Sequence, residues 1–335
     1  MWQGYRMPAR ARHPGDQQCV RRDEPYASMR GSQDIQRRRR PAAYTRAAMN
    51  DLIVQGPGLG KEALDTFKVV CTPERITLTS RAARCVGVPD DAQTRQAVRG
   101  LADYWKLDAA FVAPTLKLAD FRLLALDMDS TLINIESLDE VAALAGKGRE
   151  VAAITEAAMR GEIKDYSESL RRRVAMLAGV DAALLQRVYD EMLKLNEGAE
   201  ALVRACQQAG LKVLLATGGF TFFTDRMKDR LKLDFTRSNV LEIADGRLTG
   251  KVTGPDGGPI VDAEGKAQAV RDACGAIGCQ PAQVIAIGDG ANDLKMLAVA
   301  GLSVAYRAKP VVREQAAVAL THAPLDGVLN LFAAA

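Results

Sequence analysis

Four short apolar runs, at 121–126, 211–216 (LKVLLA), 284–288 (VIAIG) and 302–306 (LSVAY), lack the polar alternation of a half-solvated strand. Such runs predict strands buried on both faces, as in a parallel sheet covered by helices. Helix-patterned segments separate them, which is the order of a doubly wound α/β fold. Between the first two runs, residues from about 134 to 200 are helix-patterned nearly throughout. A crossover between parallel strands needs only about a dozen residues, so the surplus predicts a helical cap inserted over the strand ends. Within it, Asp165 and Glu168 have the spacing of a capping box at a helix start. On that helix Tyr166 and Arg173 are seven residues apart and share a face. The segment 238–254 alternates around an Asp-Gly pair and predicts a β-hairpin.

Residues 49–115 form a separate pattern. DLIVQGP (51–57) and ITLTS (76–80) predict strands, and GKEALDTFKVV and DDAQTRQAVRGLADYWKL predict amphipathic helices, so a small α/β unit is expected. It contains no cluster of catalytic residue types. Composition adds that the 335-residue chain, 48% apolar and 26% charged, is globular. No segment offers the roughly 18 uninterrupted apolar residues of a membrane span. The six cysteines include no C-x-x-C pair and there are only two histidines, which argues against zinc and for free thiols in a reducing cytoplasm. The net charge of +4 belongs to one end of the chain. Residues 1–48 carry 11 basic and 4 acidic side chains, and the rest carries 34 and 37. With QRRRR at 36–40 and little apolar periodicity, 1–48 is expected to be a disordered basic extension. An arginine run can bind nucleic acid or an acidic surface.

The chemistry concentrates in LLALDMDSTLINIE (123–136), where a buried strand ends in Asp127 and Asp129. A turn or a helix cap is the plain reading of such a pair. Ligands of parallel sheets, however, sit beyond the carboxyl ends of the strands. Two neighbouring carboxylates there repel unless a cation or a shared proton relieves them, so they suggest a metal site, an acid/base couple, or both. Three further features follow predicted strands or open helices: Thr217 with Gly218 and Gly219 in ATGGF, Lys266 in AEGKAQAV, and Asp289, Asn292 and Asp293 in GDGANDLKML. Each alone is commonplace. Together they supply oxygen ligands for Mg²⁺, donors and a cation for a phosphoryl group, and a carboxylate free to attack it.

DMDST, TGGF, the lysine of GKAQA and GDGANDLKM resemble the four motifs of the haloacid dehalogenase superfamily of phosphatases, over about 117–335. The resemblance implies a haloacid dehalogenase-like core over 116–335 with its cap at about 134–200, and 49–115 is similar to a small ACT-like domain. It implies Asp127 as nucleophile and Asp129 as proton donor and later general base. Mg²⁺ would be held by the side chains of Asp127 and Asp289 and the backbone carbonyl of Asp129, with Asp293 orienting it. Thr217, Gly218 and Lys266 would hold the phosphoryl oxygens, with Asn292 nearby. The longer strings DMDSTLINIESLDEVA, ESLRRRVAML and RLTGKVTG resemble the members that hydrolyse O-phospho-L-serine in the last step of serine biosynthesis. That implies Glu136 on the substrate ammonium, Arg173 on its carboxylate, and Met159 and Tyr166 as apolar cap positions excluding water. The alternative is a phosphatase or phosphotransferase for another small phosphomonoester, such as a homoserine-related one. Thr217 departs from the serine more common at that position. The expected partner is a small molecule, with no membrane and no nucleic acid; the cytoplasm is the expected location, and a homodimer is admitted.

Overall fold

In this computed structural model, residues 48–79 and 81–333 are described. The expected basic extension therefore lies outside the described residues, apart from Ala48. The chain opens with β1 (Met49–Gln55), α1 (Lys61–Cys71), β2 (Arg75–Leu78), β3 (Ala82–Pro89), α2 (Ala92–Trp105) and β4 (Asp108–Val112). These strands form an antiparallel sheet in the order β2-β3-β1-β4, a split βαβ arrangement. Helix α1 buries Ala63, Phe67 and Cys71, spaced four apart, against Leu52, Val54, Cys85 and Val88 of the sheet. Helix α2 starts where the Asp91 carboxylate accepts the Thr94 N–H at 2.8 Å. The expected strands and helices are present, and β3 and β4 are additions that the pattern did not predict.

The larger sheet comprises β5 (Leu123–Leu126), β6 (Lys212–Phe220), β7 (Phe235–Ala244), β8 (Arg247–Thr253), β9 (Val284–Gly288), β10 (Leu302–Tyr306) and β11 (Val318–Leu320). Its order is β11-β10-β9-β5-β6-β7-β8, parallel except for the β7-β8 hairpin. All four β5 residues are wholly buried. Leu124 and Leu126 join one apolar cluster and Leu123 and Ala125 another, so alternate side chains feed the two faces of the sheet. Each such leucine contributes about 2 kcal/mol. The hairpin turns at Asp245 and Gly246, both at positive φ (51° and 73°), as a two-residue type I′ turn requires.

The cap consists of α3 (Ser137–Leu144), α4 (Gly148–Met159), α5 (Tyr166–Ala175) and α6 (Ala183–Glu191). The capping box expected at Asp165 is only half formed. Asp165 accepts the Ser167 N–H at 3.0 Å, but Glu168 instead pairs with Arg172 at 2.7 Å, one turn along the helix. The remaining helices are α7 (Ala199–Gln208), α8 (Thr221–Leu231), α9 (Ala263–Ile277), α10 (Leu294–Val299) and α11 (Pro310–Gln315). Among the described residues no helix is long and apolar enough to cross a membrane.

The small sheet is tied to the end of the chain by buried polar groups. The Asp108 carboxylate accepts the backbone N–H groups of Thr321 (2.7 Å), His322 (3.0 Å) and Ala323 (2.7 Å). Arg84 of β3 pairs with Asp51 at 2.9 Å and donates to the Leu331 carbonyl at 2.9 Å. Asp108→Ala strands three donors at once and is expected to cost about 3 kcal/mol. Asp108→Asn, which keeps one acceptor oxygen, should cost less; urea unfolding of the two variants checks both the size and the order.

Candidate active site

Strand β5 stops at Leu126, and the next residue still belongs to the sheet: the Asp127 N–H donates to the Ile287 carbonyl of β9 at 3.0 Å. Its side-chain Oδ1 accepts the Met128 N–H at 2.7 Å. The chain then makes a wide turn over Met128–Leu132 with Ser130 in the left-handed region at φ 56°. A serine there is strained, and the strain is held in place from outside. Asn196 donates through Nδ2 to the carbonyls of Ser130 (3.2 Å), Thr131 (2.9 Å) and Ile133 (3.0 Å), clasping the turn. Ser130 Oγ donates to Glu136 at 2.7 Å, and Thr131 Oγ1 donates to Asp289 at 2.8 Å. Asp129 is held by Ser137, whose N–H and hydroxyl donate to its two oxygens at 3.2 and 3.1 Å.

The other strand ends converge on the same place. Strand β6 runs through Thr217 to Phe220, with its pairing to β7 interrupted between Ala216 and Phe220. In that irregularity Thr217 Oγ1 accepts the Gly219 N–H at 2.9 Å, and Asn239 Nδ2 fixes the Gly218 carbonyl at 2.8 Å. After β9, Asp293 folds back so that one oxygen accepts the N–H groups of Asp289 (3.0 Å) and Gly290 (2.9 Å). Its other oxygen meets Lys266 Nζ at 2.7 Å, and the same ammonium lies 2.7 Å from Asp127. Lys266, in the first turn of α9, is completely buried.

A cavity of about 300 Å³ is lined by Asp127, Asp129, Glu136, Tyr166, Arg173, Thr217, Gly218, Asp289 and Asn292. Lys266 and Asp293 are joined to it through Asp127. Met159 is the exception and corrects the expectation of an apolar wall. It ends α4 at 73% exposure, while Thr155, one turn earlier, is the residue of that helix that reaches the cavity. Asn196, Ser137 and Lys309 were not singled out from the sequence. Lys309 lines the cavity from the loop after β10, its N–H donating to the Asp289 carbonyl at 3.1 Å. The strand-end criterion that flagged Asp127 would have found it, three residues past Tyr306.

The electrostatics are those of a site with too much negative charge. Burial pushes the Asp127 carboxyl well above its usual range, Asp293 adds to this, and Lys266 opposes it. Burial and then Asp293 push Asp289 up to about 6. Burial and then Glu136 push Asp129 up to about 7, against the hydrogen bonds from Ser137. Lys266 is penalised by burial, but Asp127 and Asp293 together hold it firmly charged. Asp127, Asp289 and Asp293 offer oxygens within 4.8 Å of one another. A cluster of three carboxylates with one ammonium fits a hard divalent cation. At the cap side, Arg173 Nε is buried with no hydrogen-bond partner among the described residues, leaving a guanidinium donor for an incoming anion.

The model of haloacid dehalogenase-like hydrolases matches residues 124–298. A Polaromonas protein named phosphoserine phosphatase is 61% identical over 218 residues, which are 65% of this chain and 92% of that one. A haloacid dehalogenase family hydrolase from Salmonella enterica serovar Typhi superposes with TM-score 0.76 at 30% identity, covering 85% of this chain and 98% of that one. An unliganded probable phosphoserine phosphatase from Vibrio cholerae gives TM-score 0.71 at 37% identity, over 84% of this chain and 86% of that one.

Proposed function

The chain belongs to the haloacid dehalogenase-like hydrolases, and from that premise we propose that it hydrolyses O-phospho-L-serine to L-serine and phosphate. The observation that carries this is one small cavity holding Asp127 and Asp129 together with Glu136 and the unpartnered Arg173. A carboxylate suits the substrate ammonium and a planar guanidinium suits its carboxylate. Release of L-serine is the last step of its biosynthesis. Among the described residues five buried cysteines are free, which accords with a cytoplasmic enzyme.

Asp127 attacks phosphorus, forming an aspartyl-phosphate as the bond to the serine oxygen breaks. Asp129, whose carboxyl is pushed up to about 7, holds a proton near neutral pH and passes it to that leaving oxygen. Its carboxylate then takes a proton from the water that attacks the aspartyl-phosphate, which frees phosphate and restores Asp127. Ser137 keeps Asp129 aimed through both halves. Thr217, Gly218 and Lys266 hold the phosphoryl oxygens, with Asn292 beside them. Mg²⁺, held by Asp127, Asp289, Asp293 and the backbone of Asp129, would supply the positive charge that lets a phosphate dianion approach these carboxylates.

The test is Mg²⁺-dependent phosphate release from phosphoserine, phosphothreonine and a sugar phosphate. Phosphoserine should be preferred over the sugar phosphate by at least about tenfold in kcat/KM, the size of one charge-assisted contact; equal rates on these two would favour a broader phosphomonoesterase. Arg173→Ala should raise KM for phosphoserine by about 10- to 100-fold. It should leave phosphoethanolamine, which has no carboxylate, nearly unaffected. An equal loss on both esters would remove Arg173 from carboxylate recognition.

A further inference from the structure

Tyr166 is the first residue of α5, and its ring reaches across from the cap to the phosphate-binding bend of β6. A methyl group built on Gly218 would land on the Tyr166 hydroxyl and within 3.0 Å of the ring carbon that bears it. The hydroxyl thus lies directly over the Gly218 backbone, and glycine is needed there for that close approach. Among the described residues no hydrogen bond engages this hydroxyl, and the half-buried side chain lines the cavity, where a bound ligand can meet it. Desolvation pushes its pKa up, and the charges that act on it are those of the site: Lys266, Arg173, Asp127 and Asp129. At neutral pH it is therefore an O–H donor and not a phenolate.

We propose that Tyr166 Oη donates a hydrogen bond to a phosphoryl oxygen of the bound substrate, adding a donor from the cap to those of Thr217, Gly218 and Lys266. A bare aromatic ring would suffice to exclude water, and the hydroxyl is what an apolar wall does not need. The consequence lies in the helix. Tyr166 and Arg173 both belong to α5 and both line the cavity, so one rigid element grips the phosphate with its first residue and the carboxylate two turns later. Closure of the cap then depends on both groups of one molecule, which selects a short phospho-amino acid over either fragment.

The inference rests on the reading of the site as a phosphomonoesterase, and Tyr166→Phe separates the two. The ring stays, so packing and melting temperature should be unchanged. Inhibition constants for inorganic phosphate and orthovanadate should rise about tenfold, kcat/KM for phosphoserine should fall by a similar factor, and the inhibition constant for L-serine should not move. A phosphate inhibition constant within twofold of the parent's overturns the proposal while leaving the enzyme reading intact. Parallel weakening of phosphate and L-serine also overturns it, since the hydroxyl would then only position α5. Failure of the parent to hydrolyse any phosphomonoester sinks both.

Discussion

Asp127→Asn is expected to reduce phosphate release by at least about 10³-fold, as loss of a covalent nucleophile does, without weakening the fold. The amide oxygen can still accept from Met128 N–H and from Lys266, whose partners in the parent lie at 2.7 Å. It cannot form the acyl phosphate, because a neutral amide oxygen lacks the electron density of a carboxylate. The stability half of the expectation follows from the charge count. In the parent, Asp127 is buried beside Asp293 and Asp289, and its carboxyl is driven well above its usual range first by burial and then by Asp293. Replacing it by a neutral group of the same shape removes one of three crowded charges. In buffer containing a chelator, the melting temperature of the variant should therefore equal or exceed that of the parent. Added Mg²⁺ should raise the parent more than the variant, because one ligand carboxylate is gone. Residual turnover above about 1% in a phosphate-release assay would deny Asp127 the nucleophile's role, by the same scale.

The parts of this molecule that were legible in the sequence are those whose function is written in local periodicity. Leu123, Leu124, Ala125 and Leu126 face two different cores in alternation, and only a run without polar interruption can do that. Asp127, Thr217 and Asp289 follow such runs or sit within their ends, so position and chemistry could be read together. Strand β3 was hidden because Arg84 occupies one of its inward positions, where it pairs with Asp51 and the C-terminal carbonyls; a local window sees only an arginine. Strand β11, three residues long, exists through its pairing with β10 and has no pattern of its own. Asn196 was invisible for a related reason. It clasps a turn some 65 residues earlier in the chain, and no spacing rule connects an asparagine to carbonyls that distant. Met159 shows the converse limit: helix phase was readable, but not where α4 passes the cavity, and its last turn goes to solvent.

The largest stability effect is expected at Lys266→Met. The ammonium is wholly buried and is the counter-ion within 2.7 Å of both Asp127 and Asp293. Methionine preserves much of the stem's volume, so the loss is of charge and not of packing. Two buried carboxylates without a partner cost about 3–5 kcal/mol, which for a chain of this size lowers the melting temperature by about 10 °C. This should be seen in chelator, where no other cation can intervene. Saturating Mg²⁺ should then recover more of the variant's deficit than it adds to the parent, since the same carboxylates are the residues that would hold it. Turnover should not return with stability, because the phosphoryl oxygens would still lack an ammonium. A second substitution, Asp293→Asn in the Lys266→Met background, isolates the cause. If an orphaned carboxylate is what destabilises the variant, neutralising Asp293 should restore part of the melting temperature, although Asp293→Asn alone should lower it, because its NH2 group would then face either Lys266 or the Asp289 and Gly290 N–H groups that the two carboxylate oxygens now accept. Additive losses would instead mean that the lysine stabilises the site by its contacts and not by its charge.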